Sequence, residues 1–165
     1  MPTNRKSRLL SRLANKGRTA AMLLLALTAP CACDTDTVYY HYESVDTQGW
    51  DGETSLHFDV APDRDGGTYE LGVEVRITAD YPYKQLALLV TEQLNDSTRR
   101  AHNVLLNVTD DKGRRIGYGP AYYTLKQSLG TTTLQPDDTL RVDVRHNMRR
   151  LEMPGIADVG IVMKK

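Results

Sequence analysis

Apolar and polar residues alternate along much of this chain, and the alternation is most regular between positions 69 and 78. The odd positions of that run are apolar: Tyr69, Leu71, Val73, Val75 and Ile77. The even positions carry mainly polar side chains: Glu70, Glu74, Arg76 and Thr78. A period of two over this length predicts a β-strand with one face in a core and the other in water. Accordingly, Val75→Asp should prevent folding by burying an unpaired charge, whereas Glu74→Lys on the solvent face should have almost no effect.

Shorter alternations recur along the rest of the chain and predict further strands. They occupy positions 56–60, 86–90, 104–108, 140–144 and 159–163. Clusters of Gly, Pro, Asp and Asn lie between them and predict turns. One segment resists this pattern: Tyr122, Leu125 and Leu129 have helical spacing, and the glycines at 119 and 130 leave room for at most one short helix. The pattern therefore predicts an all-β protein, an antiparallel β-sandwich of about seven or eight strands.

The N-terminal segment has the composition of an export signal. Six basic residues and no acidic residue occur among the first 18. The apolar stretch that follows, residues 19–29, is too short to span a bilayer. We therefore predict a lipoprotein signal peptide over residues 1–32, a lipidated tether over residues 33–37 and a single β-sandwich domain over residues 38–165.

Two cysteines, Cys31 and Cys33, follow the apolar stretch and are the only cysteines in the chain. Their position is typical of bacterial lipoproteins, in which the chain is cleaved before a cysteine that carries lipid. Ala32 offers the small residue that the peptidase needs before Cys33, whereas Pro30 before Cys31 fits an extended protease site poorly. We predict lipid attachment at Cys33, with Cys31 less favoured; several acyl chains would make release from a membrane negligible. The alternative is a soluble exported protein with a chance pair of cysteines.

Removal of the signal makes the remaining chain acidic. The full sequence has 21 basic and 21 acidic residues, and six of the basic ones lie in the predicted signal. The mature part then has 15 basic and 21 acidic residues, a net charge near −6. This charge argues against nucleic acid as a partner, because binding to phosphate requires basic residues that displace counterions. It also argues against electrostatic attraction to anionic lipid headgroups.

Residue types that carry catalytic chemistry do not combine into a recognisable site. The four histidines lie far apart, at positions 41, 57, 102 and 146, and none has a partner at metal-ligand spacing. The run Asp63-Arg64-Asp65-Gly66 lacks the glutamate of a calcium loop and is better explained as a hairpin turn. A nucleophile elbow is absent, and only a glycosidase carboxylate pair, which needs no fixed spacing, stays open. We therefore predict a protein that is not an enzyme, with no catalytic residues and no metal or cofactor.

Tyrosine dominates the aromatic residues, with nine tyrosines against one tryptophan and one phenylalanine. Tyrosine rings suit both sugar stacking and protein interfaces, because they combine an apolar face with a hydroxyl. Tyr81, Tyr83 and Tyr118 fall in predicted turns and are candidate interaction residues, although burial in the core is equally compatible with the sequence. Trp50 closely precedes a predicted central strand and is assigned to the core.

The C-terminal segment carries a more specific pattern: Met148-Arg149-Arg150-Leu151-Glu152-Met153-Pro154-Gly155-Ile156-Ala157-Asp158-Val159-Gly160-Ile161. It resembles the closing signature of the GldH family, gliding-motility lipoproteins of the Bacteroidota, in which Met-Arg, a leucine and Gly-Ile-x-Asp-Val-Gly end the domain. Earlier residues follow in the order of that family: Tyr39, Tyr40, Trp50, Phe58, Tyr69, Arg76, Tyr81, Pro82, Leu86, Asp110, Gly113, Gly117 and Gly119. The chain departs from the family at positions 114–116, where relatives often have an aromatic residue, and at Gln85, where asparagine is expected.

The resemblance implies a lipid-anchored, non-enzymatic component of the gliding motility and type IX secretion apparatus, which acts through contacts with other envelope proteins. We expect anchoring in the outer membrane. A surface glycan-binding lipoprotein is the alternative, and a flat platform of two or three exposed rings would favour it. Of the two adjacent arginines in the signature, Arg149 is expected to pair with an acid such as Asp158, and Arg150 to face outward toward a partner.

Overall fold

Ten β-strands and no helix make up the part of the chain that this computed structural model describes, residues 36–95, 97, 99–119 and 121–165. The strands are β1 (Thr37–Ser44), β2 (Trp50–Asp51), β3 (Leu56–Val60), β4 (Gly67–Ile77), β5 (Gln85–Leu94), β6 (Arg99–Asn107), β7 (Tyr123–Leu134), β8 (Leu140–His146), β9 (Glu152–Met153) and β10 (Ile156–Lys164). The predicted signal peptide, both cysteines and the first residues of the predicted tether lie outside the described residues.

The strands form two four-stranded antiparallel sheets and one short ribbon. The first sheet has the order β1-β10-β4-β7, the second has the order β3-β8-β5-β6, and β2 pairs with β9. Between the two sheets, β1 contacts β3 along one side and β6 contacts β7 along the other. The predicted all-β sandwich is confirmed, and its eight strands of five or more residues agree with the predicted number.

The core lies between the two sheets and consists of the apolar faces that the alternation predicted. All five apolar residues of the β4 run are buried. The second sheet contributes Phe58, Val60, Leu86, Leu88, Val90, Val104, Leu106, Leu140, Val142 and Val144. Trp50 is also buried, as predicted, and its indole N–H donates to the carbonyl of Thr54. Burial of apolar area on both inner faces is the main stabilising contribution to this fold.

The segment with helical spacing is a strand, so the short helix that the sequence allowed is not formed there. It belongs to β7, which pairs with β4 along its whole length. A bulge shifts the register where Leu71 and Gly72 pair with Gly130 and Ser128, leaving Leu129 as the extra residue. The bulge changes which positions face the core, and β7 is an edge strand with one solvent-exposed side. For both reasons its sequence does not show a clean period of two.

The two ends of the sandwich differ in which turns they carry. The described chain begins beside Lys164 at the end of β10, where the turns after β3, β5 and β7 also lie. We call this the proximal end. The turns after β1, β4, β6 and β8 lie at the opposite end, which we call the distal end. Among the described residues, no helix is long and apolar enough to cross a membrane.

Candidate interaction surface

A row of side chains crosses the outer face of the first sheet and buries a carboxylate there. Tyr42, Gly160, Glu74 and Lys126 stand opposite one another on β1, β10, β4 and β7. The hydroxyl of Tyr42 donates to one oxygen of Glu74 at 2.5 Å, and the ammonium of Lys126 lies 2.5 Å from the other. These partners leave Glu74 only 5% exposed. The prediction that Glu74 lies on a solvated face is therefore wrong.

Gly160 makes this row possible because the ring of Tyr42 lies directly on it. A Cβ atom at Gly160 would come within 2.7 Å of that ring, so any side chain there would displace Tyr42. The guanidinium of Arg76 lies over the same ring, 4.0 Å from its centroid. This contact gives a structural reason for the second glycine of the C-terminal signature.

Asp158, another residue of the C-terminal signature, contacts neighbouring side chains on the same outer face. Its carboxylate lies 3.8 Å from the guanidinium of Arg76 and accepts a 2.7 Å hydrogen bond from the hydroxyl of Ser44. Arg149 is exposed in the turn that follows β8. The predicted pairing of Arg149 with Asp158 is therefore wrong, because Arg76 on the neighbouring strand takes that place.

We call Tyr42, Glu74, Arg76, Lys126 and Asp158 the outer cluster, and the contacts within it shift the pKa values of Tyr42 and Lys126. Burial and the bond to Glu74 raise the pKa of Tyr42 far above its ordinary value. Burial alone would lower the pKa of Lys126, but its bond to Glu74 raises that pKa above the ordinary value. Because the polar groups bond to one another, the cluster stabilises the outer face of the sheet.

Of the predicted interaction residues, Tyr81 lies in the core. It is 1% exposed, and its hydroxyl donates to the carbonyl of Gln85 at 2.9 Å. Burial raises its pKa well above the ordinary value for tyrosine. Gly155, at a φ of +78°, packs on its backbone so closely that a Cβ would lie 2.7 Å from the Tyr81 nitrogen. The ring of Tyr81 is therefore not available to a partner.

The other predicted interaction residues are exposed and share one location. Tyr83, Tyr118 and Arg150 are all exposed, with Tyr118 at 60%. They lie in the turns after β4, β6 and β8, which means that all three belong to the distal end. Leu151 beside Arg150 is 58% exposed, and sequence reasoning missed it. An apolar residue between charged neighbours in a turn was the available signal.

The backbone that presents these side chains is held by hydrogen bonds that join separate turns. The guanidinium of Arg115 donates to the carbonyls of Ala79 and Tyr81 at 2.8 and 2.7 Å, which joins the turns after β6 and β4. The Nε2 atom of the buried His146 lies 2.9 Å from the carbonyl of Trp50 and 3.0 Å from that of Leu151. The distal end therefore combines exposed side chains with a fixed main chain.

Two pairs of tyrosine rings among the described residues lack the flat arrangement that would favour a glycan. Tyr40 and Tyr42 meet edge to face at 71°, and Tyr81 and Tyr83 do so at 69°. Trp50, the largest ring, is buried. Among the described residues, no group of three or more His, Cys, Asp or Glu side chains is arranged to hold a metal ion. His57 is exposed, and its Nδ1 atom lies 2.7 Å from a carboxylate oxygen of Asp143.

The sequence matches the model of one protein family, GldH lipoprotein, over residues 37–163. The chain belongs to the GldH lipoprotein family. The resemblance stated from the signature residues is confirmed. Family membership places the chain among the lipoproteins of the gliding motility system, which are membrane-anchored proteins of the cell envelope.

Comparisons with individual proteins add no further assignment. No curated protein sequence matches the chain. The Eiger TNF of S. frugiperda is 10% identical with a TM-score of 0.38, over 79% of this chain and 93% of that chain. Dimeric latent PorU from Porphyromonas gingivalis is 9% identical with a TM-score of 0.31, over 83% of this chain and 14% of that chain. TM-scores this low support no argument about shared function.

Proposed function

We propose that this GldH-family lipoprotein is a non-enzymatic component of the gliding motility and type IX secretion apparatus, and that its distal end binds other envelope proteins. On this proposal, lipid on Cys33 anchors the chain in the outer membrane, and the tether up to Thr37 leads into β1. The sandwich then serves to hold the distal turns in a fixed geometry at a distance from the membrane.

The observation that carries the proposal is the position of the exposed side chains relative to the start of the domain. The described chain enters the sandwich at Thr37, and Tyr83, Arg150 and Leu151 lie at the opposite end. The eight residues of β1 span about 26 Å at a rise of about 3.3 Å per residue. A lipid anchor at the N-terminal end would therefore leave this end free to reach a partner.

The chemistry of the distal end suits a protein partner. Aromatic residues and arginine are enriched at the centres of protein interfaces, where they supply most of the binding free energy. A fixed backbone lowers the entropy that is lost when exposed side chains become ordered on binding. Tyr83, Arg150 and Leu151 provide an aromatic, a cationic and an aliphatic group on such a backbone.

The surroundings of two buried carboxylates support a non-enzymatic role. The buried carboxylates of the described residues are Glu74 and Glu92. Glu74 is held by Tyr42 and Lys126, and Glu92 contacts the Nε2 atom of His102 at 2.8 Å. Each carboxylate is thus engaged by neighbouring side chains inside the fold rather than directed into a cleft.

Affinity purification from detergent-solubilised membranes, followed by quantitative mass spectrometry, tests the proposal. We expect the combined variant Tyr83→Ala, Arg150→Glu and Leu151→Asp to reach the membrane at wild-type abundance but to lose its co-purifying envelope proteins. The matched control carries Arg64→Glu and Asp137→Lys, two exposed positions at the proximal end, and should keep them. If the distal variant retains the same proteins as the wild type, the distal end is not the binding surface.

A further inference from the structure

The strands that end the two sheets differ in how open their outer edges are. Within the described part of the chain these are β1 and β7 of the first sheet and β3 and β6 of the second. β1 and β7 each pair with a register shift, and bulges of this kind hinder the addition of another strand. β3 has only five residues. β6 has nine residues without proline and pairs with β5 without a register shift, so it is the edge best suited to a further strand.

Main-chain hydrogen bonds show which groups of β6 point to its open edge. The N–H of Val108 donates to the carbonyl of Lys84, which places the even-numbered residues of β6 in hydrogen-bonded pairs with β5. The N–H of Asn147 donates to the carbonyl of Ala87, and this agrees because it directs the odd-numbered residues of β5 to β8. The N–H and C=O groups of the central odd-numbered residues of β6 therefore point to the open edge: Ala101, Asn103 and Leu105.

An apolar groove of about 600 Å³ runs between this edge and β7. The exposed side chains of Leu105, Ile116 and Tyr118 line it. Leu106 and Leu125 line it as well, and these two core residues remain 3% and 4% exposed. A strand added to β6 would therefore direct every second side chain toward an apolar surface that the domain leaves partly open.

The chain that returns after β6 covers only the distal end of the edge. Arg115 pairs there with Thr109. The returning chain then reaches β7, where Tyr118 pairs with Thr124. Among the residues that the structure describes, no strand pairs with the outer edge of β6 over residues 99–105. A stretch of seven residues is thus available to another chain.

The charge along this edge is positive. Residues 99–109 and 121–134 contain Arg99, Arg100 and Lys126 but no Asp or Glu. Lys126 contacts Glu74, whereas no ion pair between described residues engages Arg99 or Arg100. Both arginines are exposed at the start of β6. Acidic side chains on an added segment would complement them.

We propose that residues 99–105 of β6 bind an extended segment of another envelope protein by strand addition. The segment has apolar residues at alternate positions, which face the groove, and acidic residues at the end beside Arg99 and Arg100. Main-chain hydrogen bonds supply affinity in this mode, and the alternate side chains supply specificity. The antiparallel orientation is slightly the more stable, and it places the acidic residues at the C-terminal end of the segment. This surface lies on a long side of the sandwich and differs from the distal turns in the proposed function.

A synthetic peptide, Thr-Val-Thr-Val-Thr-Glu-Glu, probes the edge of the full-length protein in detergent micelles. Antiparallel to β6, it sets its two valines opposite Val104 and His102 and its two glutamates opposite Arg100 and Arg99. We expect saturable binding, measured by fluorescence anisotropy of the labelled peptide. N-methylation of its third and fifth residues, whose N–H groups face β6, should abolish binding. N-methylation of its second and fourth residues, whose N–H groups face away, should not.

Proline at Asn103 tests the same hydrogen bonds from the side of the protein. Asn103→Pro removes an N–H that points to the open edge and leaves the bonds between β5 and β6 in place, which edge strands tolerate. It should weaken peptide binding about tenfold or more, because a hydrogen bond is lost and the ring obstructs the edge. Asn103→Thr retains the N–H and is the matched control. If Asn103→Pro proves unstable, the N-methylated peptides still decide the question on the wild-type chain.

Charge reversal tests the orientation of the segment. Arg99→Glu with Arg100→Glu should weaken binding about fivefold, and a peptide that ends in two lysines should bind this variant better than the wild type. Arg64→Glu with Arg149→Glu changes the net charge equally at exposed positions elsewhere and should leave binding unchanged. The proposal is overturned if the wild-type chain does not bind the acidic peptide, or if both pairs of N-methylations weaken binding equally.

Photocrosslinking in cells then tests for a natural partner, with a photoreactive amino acid at Leu105. We expect an adduct with a distinct envelope protein, mapped to an extended segment of the stated composition and lost in the Asn103→Pro chain. Adducts only with a second copy of this chain, or none, would overturn the assignment. Adducts from Tyr83 or Leu151 should persist in the Asn103→Pro chain, so this proposal and that for the distal end fail separately.

Discussion

Glu74 shows how single residues determine the outer face of the first sheet. A carboxylate on a sheet face that points away from the core would ordinarily be solvated, yet Tyr42 and Lys126 cover this one. Tyr42 reaches it across β10 only because Gly160 has no side chain. The burial of Glu74 therefore depends on Gly160 on the neighbouring strand. This dependence is visible only once the register of the two strands is known.

We predict that Glu74→Lys destabilises the protein by about 3 kcal/mol or more. The substitution places an ammonium beside that of Lys126 and leaves the hydroxyl of Tyr42 without its acceptor. Glu70→Lys, an exposed position on the same face of β4, is the matched control and should change stability by less than about 0.5 kcal/mol. Chemical denaturation of the two purified variants provides the comparison. Equal losses would mean that Glu74 is solvated.

Asp63 links the turn after β3 to the C-terminal residue and should make stability depend on pH. The ammonium of Lys165 and the hydroxyl of Tyr69, at 2.8 and 2.7 Å, hold the pKa of Asp63 below its ordinary value. A lowered pKa stabilises the fold above the ordinary value of about 3.9, and this contribution is lost as pH falls through the folded-state pKa. Asp63→Asn should therefore be less stable than wild type at neutral pH, and the difference should shrink below about pH 4.

Urea denaturation of wild type and Asp63→Asn at neutral and acidic pH measures this dependence. The midpoints of the two proteins should differ at neutral pH and converge at acidic pH. A difference that stays constant over this range would show that ionisation of Asp63 is not what stabilises the turn.

At the scale of elements, strands with one regularly buried face, such as β4, could be predicted from the sequence. The edge strand β7 could not. β4 shows a regular alternation because its inner face is buried along its whole length. β7 contributes Leu125 and Leu134 to the core, nine positions apart, and only a bulge allows both to point inward. Bulges and two-residue strands such as β2 and β9 depend on pairing with distant residues, which a local pattern does not contain.

The pairing of β10 with β4 gives a prediction about Arg76 on β4 and Arg149 in the turn after β8. Arg76→Ala should lower the free energy of unfolding by about 1 kcal/mol, because Tyr42 loses a cation and Asp158 loses its ion pair. Arg149→Lys should leave thermal stability unchanged, since Arg149 is exposed in a turn. Thermal denaturation of both variants decides between this assignment and the expected pairing of Arg149 with Asp158. A lower melting temperature for Arg149→Lys would restore a structural role for that arginine.

At the scale of the whole molecule, the sequence identified most candidate residues but not their common location. Tyr83, Tyr118 and Arg150 were selected because exposed rings and arginines suit interfaces, while the same reasoning selected Tyr81, which is buried. The distinction depends on packing with residues that are distant in the chain, such as Gly155, which lies against the Tyr81 backbone. The grouping of turns at the distal end follows from the strand order, which turn chemistry alone does not determine.

The predicted anchor determines how the molecule is oriented in the envelope. We expect Cys33→Ser to abolish acylation and release the protein into the soluble fraction, while Cys31→Ser should leave it on the membrane. Fractionation with metabolic labelling by a fatty acid measures both properties. A Cys33→Ser chain that remains acylated and membrane-bound would transfer the attachment site to Cys31.

The central claim is that the distal end of this GldH-family lipoprotein contacts another envelope protein. Site-specific photocrosslinking in living cells tests it most directly, with a photoreactive amino acid placed at Tyr83 or Leu151, and at Arg64 or Asp137 of the proximal end. The account predicts adducts with a second, distinct protein from the two distal positions and not from the two proximal ones. Adducts that form only at the proximal end, or none from either distal position in cells that have a working motility apparatus, would contradict it.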